Sequence, residues 1–218
     1  LAPTPPAAPS QPAAPAAGSG SAGEASPLSL GGTAAPAAKA SPPKPPSRRV
    51  VGRTMLSADE PTVALDRRQS AVGSLVFEID GPGAVSAFWE LQDGTTGLVD
   101  ERERVRISPE FGRRPIVELH QSAVVVGLRH VGQLRRLLIL MTGFAGDQSQ
   151  RVLCTLHDEA TFETTHTPTG DYVVALAIYH VDGELVVRRE GFGFESTARI
   201  ETAYDVTKTW LPPVHRPG

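Results

Sequence analysis

A two-residue reversal, Asp182-Gly183, set between two runs of β-branched and aliphatic residues, narrows the fold of this chain more than any other feature. An Asp-Gly pair supplies the positive φ angles that a primed two-residue turn demands, and such turns match the twist of the strands they join. Residues 171–194, DYVVALAIYHVDGELVVRREGFGF, therefore read as a β-hairpin in which Ile178 faces Val187 and His180 faces Leu185. That register gathers Leu176, Ile178, Leu185 and Val187 on one side, and a slip of one residue would put Arg188 among them. The other side of the first strand carries Val173, Ala175, Ala177 and Tyr179, which are also mostly apolar and call for cover. Ile200, Ala203 and Tyr204 follow at helical spacing with Ser196 placed to cap, so a short helix is expected over the small alanines.

Upstream the same two-residue period recurs. Residues 62–65 form a short candidate strand, and residues 72–79 alternate so that Gly73, Leu75, Phe77 and Ile79 face a core. Asp80-Gly-Pro-Gly is a turn by composition, after which residues 84–91 resume with Val85, Ala87 and Trp89 on one side. Asp93, Gly94 and Gly97 mark another reversal; residues 102–107 and 115–120 are short and polar enough to be edge strands, and residues 123–128 follow. Residues 134–144 fit a helical face through Leu134, Leu137, Leu138 and Met141, yet their apolar continuity suits a strand covered on both sides. The strand is preferred, because Gly143 and Ala145-Gly146-Asp147 end the run early and residues 151–156 and 161–165 are again β-like. About nine or ten short strands between Gly-rich turns, with one late helix, give an all-β fold, a two-sheet β-sandwich.

Composition divides the chain unevenly. Residues 1–48 are Ala, Pro, Gly and Ser with almost no large apolar side chain, so they are expected to form a disordered, partly polyproline tail or linker. Residues 49–212 then form one domain, and residues 213–218 a flexible end. The prolines before Ser47-Arg48-Arg49 resemble a ligand for a proline-binding module; the plainer expectation is a spacer. The chain opens on Leu1, which is expected for the end of a longer polypeptide or for a processed product. Its first residues lack the apolar core of a secretory signal, and no run approaches the roughly 20 apolar residues needed to span a bilayer. The single cysteine, Cys154, rules out an intrachain disulfide, and a cytoplasmic location is expected. A net charge of −3 with interspersed signs leaves no electrostatic footprint for nucleic acid.

Three stretches carry a resemblance: AFWELQDGTTGLV (residues 87–99), VGQLRRLLILMTGF (residues 131–144), and the hairpin followed by AYD (residues 203–205) and Trp210. In order and spacing they resemble the later part of the TerD/TerA tellurium-resistance family, and SADEPTVALDRRQSAVGSLVFEI (residues 57–79) is similar to its opening. The resemblance implies a two-sheet sandwich, bacterial and cytoplasmic, associated with stress response and tellurite resistance, usually calcium-binding and not catalytic. The family's first calcium ligands, an Asp-x-Asp pair, correspond here to Pro82 and Ala84, which offer no side-chain oxygen. The second acidic loop corresponds to DERERVRISPEFGRR (residues 100–114), in which Arg102, Arg104, Arg106, Arg113 and Arg114 nearly balance the acids. Calcium takes six to eight oxygens, several of them carboxylate, so no cofactor is expected, and Asp80, Asp93, Asp100, Glu101 and Glu103 remain only as weak substitute ligands.

Other constellations are sparse. Cys154, His157, Asp158 and Glu159 lie close in sequence, but Cys154 and His157 fall on opposite faces of a strand, so Cys154 reads as a small core residue. His120, His130, His166 and His180 show no metal-ligand spacing, and Phe192 and Phe194 are expected to pack under the helix. No catalytic or cofactor-binding residue is assigned. Three functions follow: a TerD-like binding or scaffold module, joining protein partners of a bacterial stress complex or a membrane surface; a carbohydrate-type binding module with Trp89 or Tyr179 as a stacking platform; and, last, a hydrolase using Glu90, Asp100 and Glu118.

Overall fold

The computed structural model describes residues 48–101, 110–111, 114–120, 123–143 and 148–206. Apart from Arg48, the expected tail lies outside them, as do the C-terminal residues 207–218 and the expected edge strand at residues 102–107.

The chain repeatedly crosses between two sheets. β1 (Arg53–Leu56) opens the first sheet and β2 (Thr62–Ala64) the second. β3 (Ser74–Asp80) returns to the first, while β4 (Ala84–Leu91) and β5 (Thr96–Val99) extend the second. A two-stranded ribbon, β6 (Glu110–Phe111) and β7 (Arg114–Pro115), precedes β8 (Val117–His120) and β9 (Ala123–Gly127), both in the first sheet. After a 3-10 turn, Leu128–Gln133, β10 (Leu134–Thr142) joins the second sheet. β11 (Gln150–Thr155) and β12 (Thr161–His166) complete the first sheet, β13 (Tyr172–Val181) and β14 (Glu184–Phe194) the second, and α1 (Thr197–Tyr204) follows. The sheet orders are β1-β12-β11-β3-β9-β8 and β2-β14-β13-β10-β4-β5, a two-sheet β-sandwich as expected. The β1–β12 pair is parallel and the other named pairs are antiparallel.

The hairpin register follows from its turn. Asp182 and Gly183 have φ of 52° and 82°, Ile178 pairs with Val187, and His180 pairs with Leu185. The face assignment of β13 differs from strict alternation. Ala175 is passed over in the pairing of β13 with β10, which runs from Ile139–Leu176 directly to Leu140–Val174. A bulge adds one residue and reverses which side chains point inward. Val173 and Ala175 therefore join Leu176 and Ile178 between the sheets, and Val174, Ala177 and Tyr179 lie on the helix side, where Tyr172 and Val181 pack at the margins.

Between the sheets, Leu75, Phe77, Cys154 and Phe162 from the first meet Trp89, Leu137, Ile139 and Val187 from the second. Each large side chain there is almost wholly removed from water, a contribution of roughly 1.5–3 kcal/mol apiece. Trp89 lies directly across from Gly97 on β5, and any side chain there would collide with the indole. β10 is buried on both faces: Leu137, Ile139 and Met141 face the first sheet, and Leu138 and Leu140 face away from it.

That outward face of the second sheet holds a second apolar cluster. Ile200 and Tyr204 of α1 pack on it with Phe88, Leu138, Ala177 and Phe194, and the Phe194 and Tyr204 rings meet edge to face at 6.2 Å. Ser196 occupies the N-cap position, where its side chain makes no capping hydrogen bond, and Asp205 ends the helix in a left-handed conformation. Among the described residues no helix is long and apolar enough to cross a membrane.

Candidate functional site

The helix-covered face is apolar at its centre and charged at one end. Register places Glu90 of β4, Arg136 of β10 and Tyr179 of β13 side by side across three strands. Arg135 is passed over in the pairing of β10 with β4, and at this irregularity both neighbouring arginines reach the same carboxylate. Arg135 Nη1 donates to Glu90 Oε1 at 2.8 Å, while Arg136 donates to Oε2 from Nε at 3.0 Å and lies 2.7 Å away through Nη2. Glu90 is 7 % exposed and Arg136 4 %, so this pair sits in a protein interior where partnership is obligatory.

The row continues onto β14. Arg188 Nε donates to Glu190 Oε1 at 2.6 Å and Arg188 Nη2 to Tyr179 Oη at 3.2 Å, with the guanidinium carbon 5.5 Å from the centre of the Tyr179 ring. Burial pushes the Glu190 carboxyl above the usual range, although Arg188 opposes it. Burial would lower the Arg188 guanidinium, but Glu190 and Tyr179 outweigh that and hold it above its ordinary value. Burial raises both phenols, and at Tyr204 the Glu190 carboxylate adds to the effect, so Tyr204 keeps its proton throughout the physiological range.

A cavity of about 220 Å³ opens at this end of the sheet, lined by Glu90, Gln92, Arg135, Arg136, Tyr179, His180, Tyr204 and Asp205. The Tyr204 hydroxyl interacts with the Glu190 carboxylate and Arg136 with the Tyr179 hydroxyl, and Arg136 Nη1 and Tyr204 Oη are both sealed from solvent. Gln92 spends its amide N–H on the Leu134 carbonyl at 3.1 Å. Burial lowers the His180 imidazole, which favours its neutral form at neutral pH.

No protein-family model matches the chain, and no curated protein matches it.

The acids proposed from sequence as substitute calcium ligands are dispersed. Asp80 closes β3 in an ion pair with Arg151, and Asp93 accepts from the Thr95 backbone N–H at 2.8 Å in the β4–β5 turn, a bond that lowers its carboxyl. Asp100, just beyond β5, is 1 % exposed and accepts from Ser86 Oγ at 2.8 Å. Glu101 is exposed in the turn that follows, and Glu103 lies outside the described residues. Among the described residues no three His, Cys, Asp or Glu side chains come together to hold a metal. Among the described residues, these dispersed acids do not fit the oxygen-rich cage that calcium takes.

The remaining sequence candidates separate as well. Cys154 is fully buried between the sheets, and desolvation pushes its thiol well above the ordinary value. His157, Asp158 and Glu159 form a turn beyond β11, where Gln69 Nε2 donates to Asp158 at 3.0 Å and lowers its carboxyl. His120 ends β8, His130 lies in the 3-10 turn, and His166 is buried on β12; of the four scattered histidines His180 alone lines the cavity. Glu90 and Glu118 stand on different sheets, and Asp100 is engaged by Ser86. The stacking platform expected of Trp89 or Tyr179 is corrected: they are 1 % and 2 % exposed, Trp89 lying between the sheets and Tyr179 sharing its ring with Arg188.

Sequence reasoning passed over Arg135, Arg136, Arg188, Glu190 and the Tyr204 hydroxyl as a set. A signal was present, since Glu90 interrupts the apolar AFWEL and two arginines interrupt LRRLLILM. A charge inside a two-sided strand is rarely left unpaired.

Proposed function

We propose that this chain is a non-catalytic binding or scaffold domain of the TerD-like kind, serving a bacterial cytoplasmic stress response linked to tellurium resistance, with the family's calcium site lost. The observation that carries this reading is the fate of the buried charges on the helix-covered face. Glu90 is spent on two arginines and Glu190 on Arg188, so these acids hold the structure and shape a small polar cavity instead of activating a nucleophile. The sealed position of Cys154 speaks the same way, because a reactive thiol needs access and a lowered pKa.

Support for the family part comes from the architecture, two facing six-stranded sheets with a C-terminal helix, which is what the resemblance implies. Support for a lost calcium site comes from Pro82 and Ala84, and from the commitment of Asp80 to Arg151 and of Asp100 to Ser86. Proteins of a stress complex, free or at a membrane surface, are the partners this reading assigns; the near balance of charge gives no electrostatic footprint that would add nucleic acid to them.

The test is genetic. Deleting the gene in its source bacterium should lower growth on tellurite, and the wild-type chain supplied in trans should restore it. Unchanged tolerance would remove the stress-response reading.

A further inference from the structure

We propose that the outer face of the first sheet is a homodimer interface, on which a second copy of this chain sits turned about a two-fold axis parallel to the strands and midway between β11 and β3. The proposal goes beyond the stress-response reading and borrows nothing from it.

The two sheets differ in cover. α1 packs on the outer face of the second sheet, whereas among the described residues no strand or helix is stacked on the outer face of the first. Pairing carries one straight row across that face: Arg53 of β1 pairs with Thr161, Thr161 with Thr155, Thr155 with Val76, Val76 with Val125, and Val125 with Glu118 of β8. The adjacent row, from Thr54 and Phe162 through Cys154 and Phe77 to Val124 and Leu119, is buried, so strand alternation points the first row outward. A sheet side left to water is normally polar. Here Val76, Val125 and Leu153 stand half-buried on it, and Met55 is 46 % exposed at its β1 margin.

The row is its own complement. It has a cation at one end, an acid at the other and only Thr and Val between. Rotation about the strand-parallel axis reverses the order of the strands and keeps the height along them. Arg53 then meets Glu118 of the second copy, Thr161 meets Val125, and Thr155 meets Val76, each contact occurring twice because the interface is isologous. A further row repeats the pattern. Arg151 and Asp80 pair within one chain, and the same rotation sets Arg151 against Asp80 of the other copy. Glu78 falls opposite Leu153, two residues along β11 from Arg151.

The charged groups at the ends are available for this. Arg53 gives Nε and Nη2 to Glu163, keeps Nη1 out of that pair, and has a side chain 65 % exposed. Among the described residues Glu78 and Glu118 have no ion-pair partner, so the dimer supplies partners without breaking any. Six strands about 4.8 Å apart, with lengths of up to roughly 20 Å, give on the order of 500 Å² per copy. About 1,000 Å² for the pair is the size of weak, reversible complexes, which assigns a dissociation constant on the order of 100 μM.

The experiment is sedimentation equilibrium of the full chain from about 5 μM to 1 mM at low salt, with a thermal melt of every variant. The weight-average mass should rise from 23.1 kDa toward twice that value, and added salt should lower it again. Glu118→Arg puts a cation against Arg53 of the other copy, and Val76→Lys puts two ammonium groups beside the axis; each should weaken the dimer at least tenfold. Both changes lie on an open face and should melt with the parent. Glu195→Arg makes the same charge change at an exposed position just before α1 and should dimerise like the parent. A mass that stays at 23.1 kDa to the highest concentration would overturn the proposal. So would a dimer that Glu118→Arg and Val76→Lys leave intact, or one that Glu195→Arg weakens as much as they do. Growth on tellurite enters none of these readings, so the interface and the stress-response reading fail separately.

Discussion

Removing the Glu90 carboxylate tests the charged row at its centre. In Glu90→Ala the Arg136 guanidinium, only 5 % exposed along its side chain, loses the carboxylate that its Nε and Nη2 contact and remains inside the protein. Stranding one partner of a buried ion pair costs about 3–5 kcal/mol, a large share of the roughly 5–15 kcal/mol that holds a domain folded. Arg135 is 55 % exposed, so Arg135→Ala, which cuts a pair open to water, should cost only about 0–1 kcal/mol. The two variants thus share a partner and differ several-fold in consequence. Urea unfolding followed by far-UV circular dichroism reads the difference, since at a slope of about 2 kcal/mol/M the Glu90→Ala midpoint falls by ~1.5–2.5 M. Replacing both buried members, Glu90→Leu with Arg136→Met, should recover most of the loss, because the desolvation of both charges disappears with them. Equal, small shifts for Glu90→Ala and Arg135→Ala would refute the argument, for they would mean that water screens Arg136 after all.

Two further predictions use other parts of the sandwich. Gly97→Ala puts a methyl group into the Trp89 ring and should cost about 1–3 kcal/mol, or ~3–10 °C in melting temperature; an unchanged transition would mean that the indole does not lie across β5. His166 is buried, and desolvation followed by the nearby Arg189 charge holds its imidazole down to about 4 from 6.5. The folded state then binds fewer protons than the unfolded one between those values. Its contribution is fully present above about pH 6.5, declines as pH falls and levels off near pH 4, a loss of roughly 3 kcal/mol at about 1.4 kcal/mol per pH unit. His166→Gln should flatten that decline, and parallel pH profiles for the variant and the parent would contradict it.

What the sequence disclosed and what it hid divide along local and non-local lines. Asp182-Gly183 fixes the hairpin because turn chemistry is a property of two adjacent residues, and the pairs Ile178–Val187 and His180–Leu185 follow by counting. The two-sided burial of β10 was legible in the apolar run of residues 137–141, and the core position of Cys154 in its place on an alternating strand. The bulge at Ala175 left no mark, since an extra residue in an apolar strand changes facing without changing composition. β1 escaped notice because four residues alternating as Arg53, Thr54, Met55, Leu56 are too few to raise a period above noise. The candidate site was the least legible part. Glu90 and Arg136 are 46 positions apart and become partners only through the pairing of β4 with β10, and Tyr204 joins them only when α1 docks. Each residue carries a hint as a polar group in an apolar setting, but their meeting is a fact of topology.

Calorimetric titration of calcium into the full chain, with a parallel thermal melt, bears most directly on the claim that this sandwich lacks the calcium site of the family it resembles. The account predicts no saturable heat at micromolar calcium and an unmoved transition. A one-to-one isotherm accompanied by the roughly 2.7 kcal/mol of stabilisation due at a hundred times the dissociation constant would contradict it.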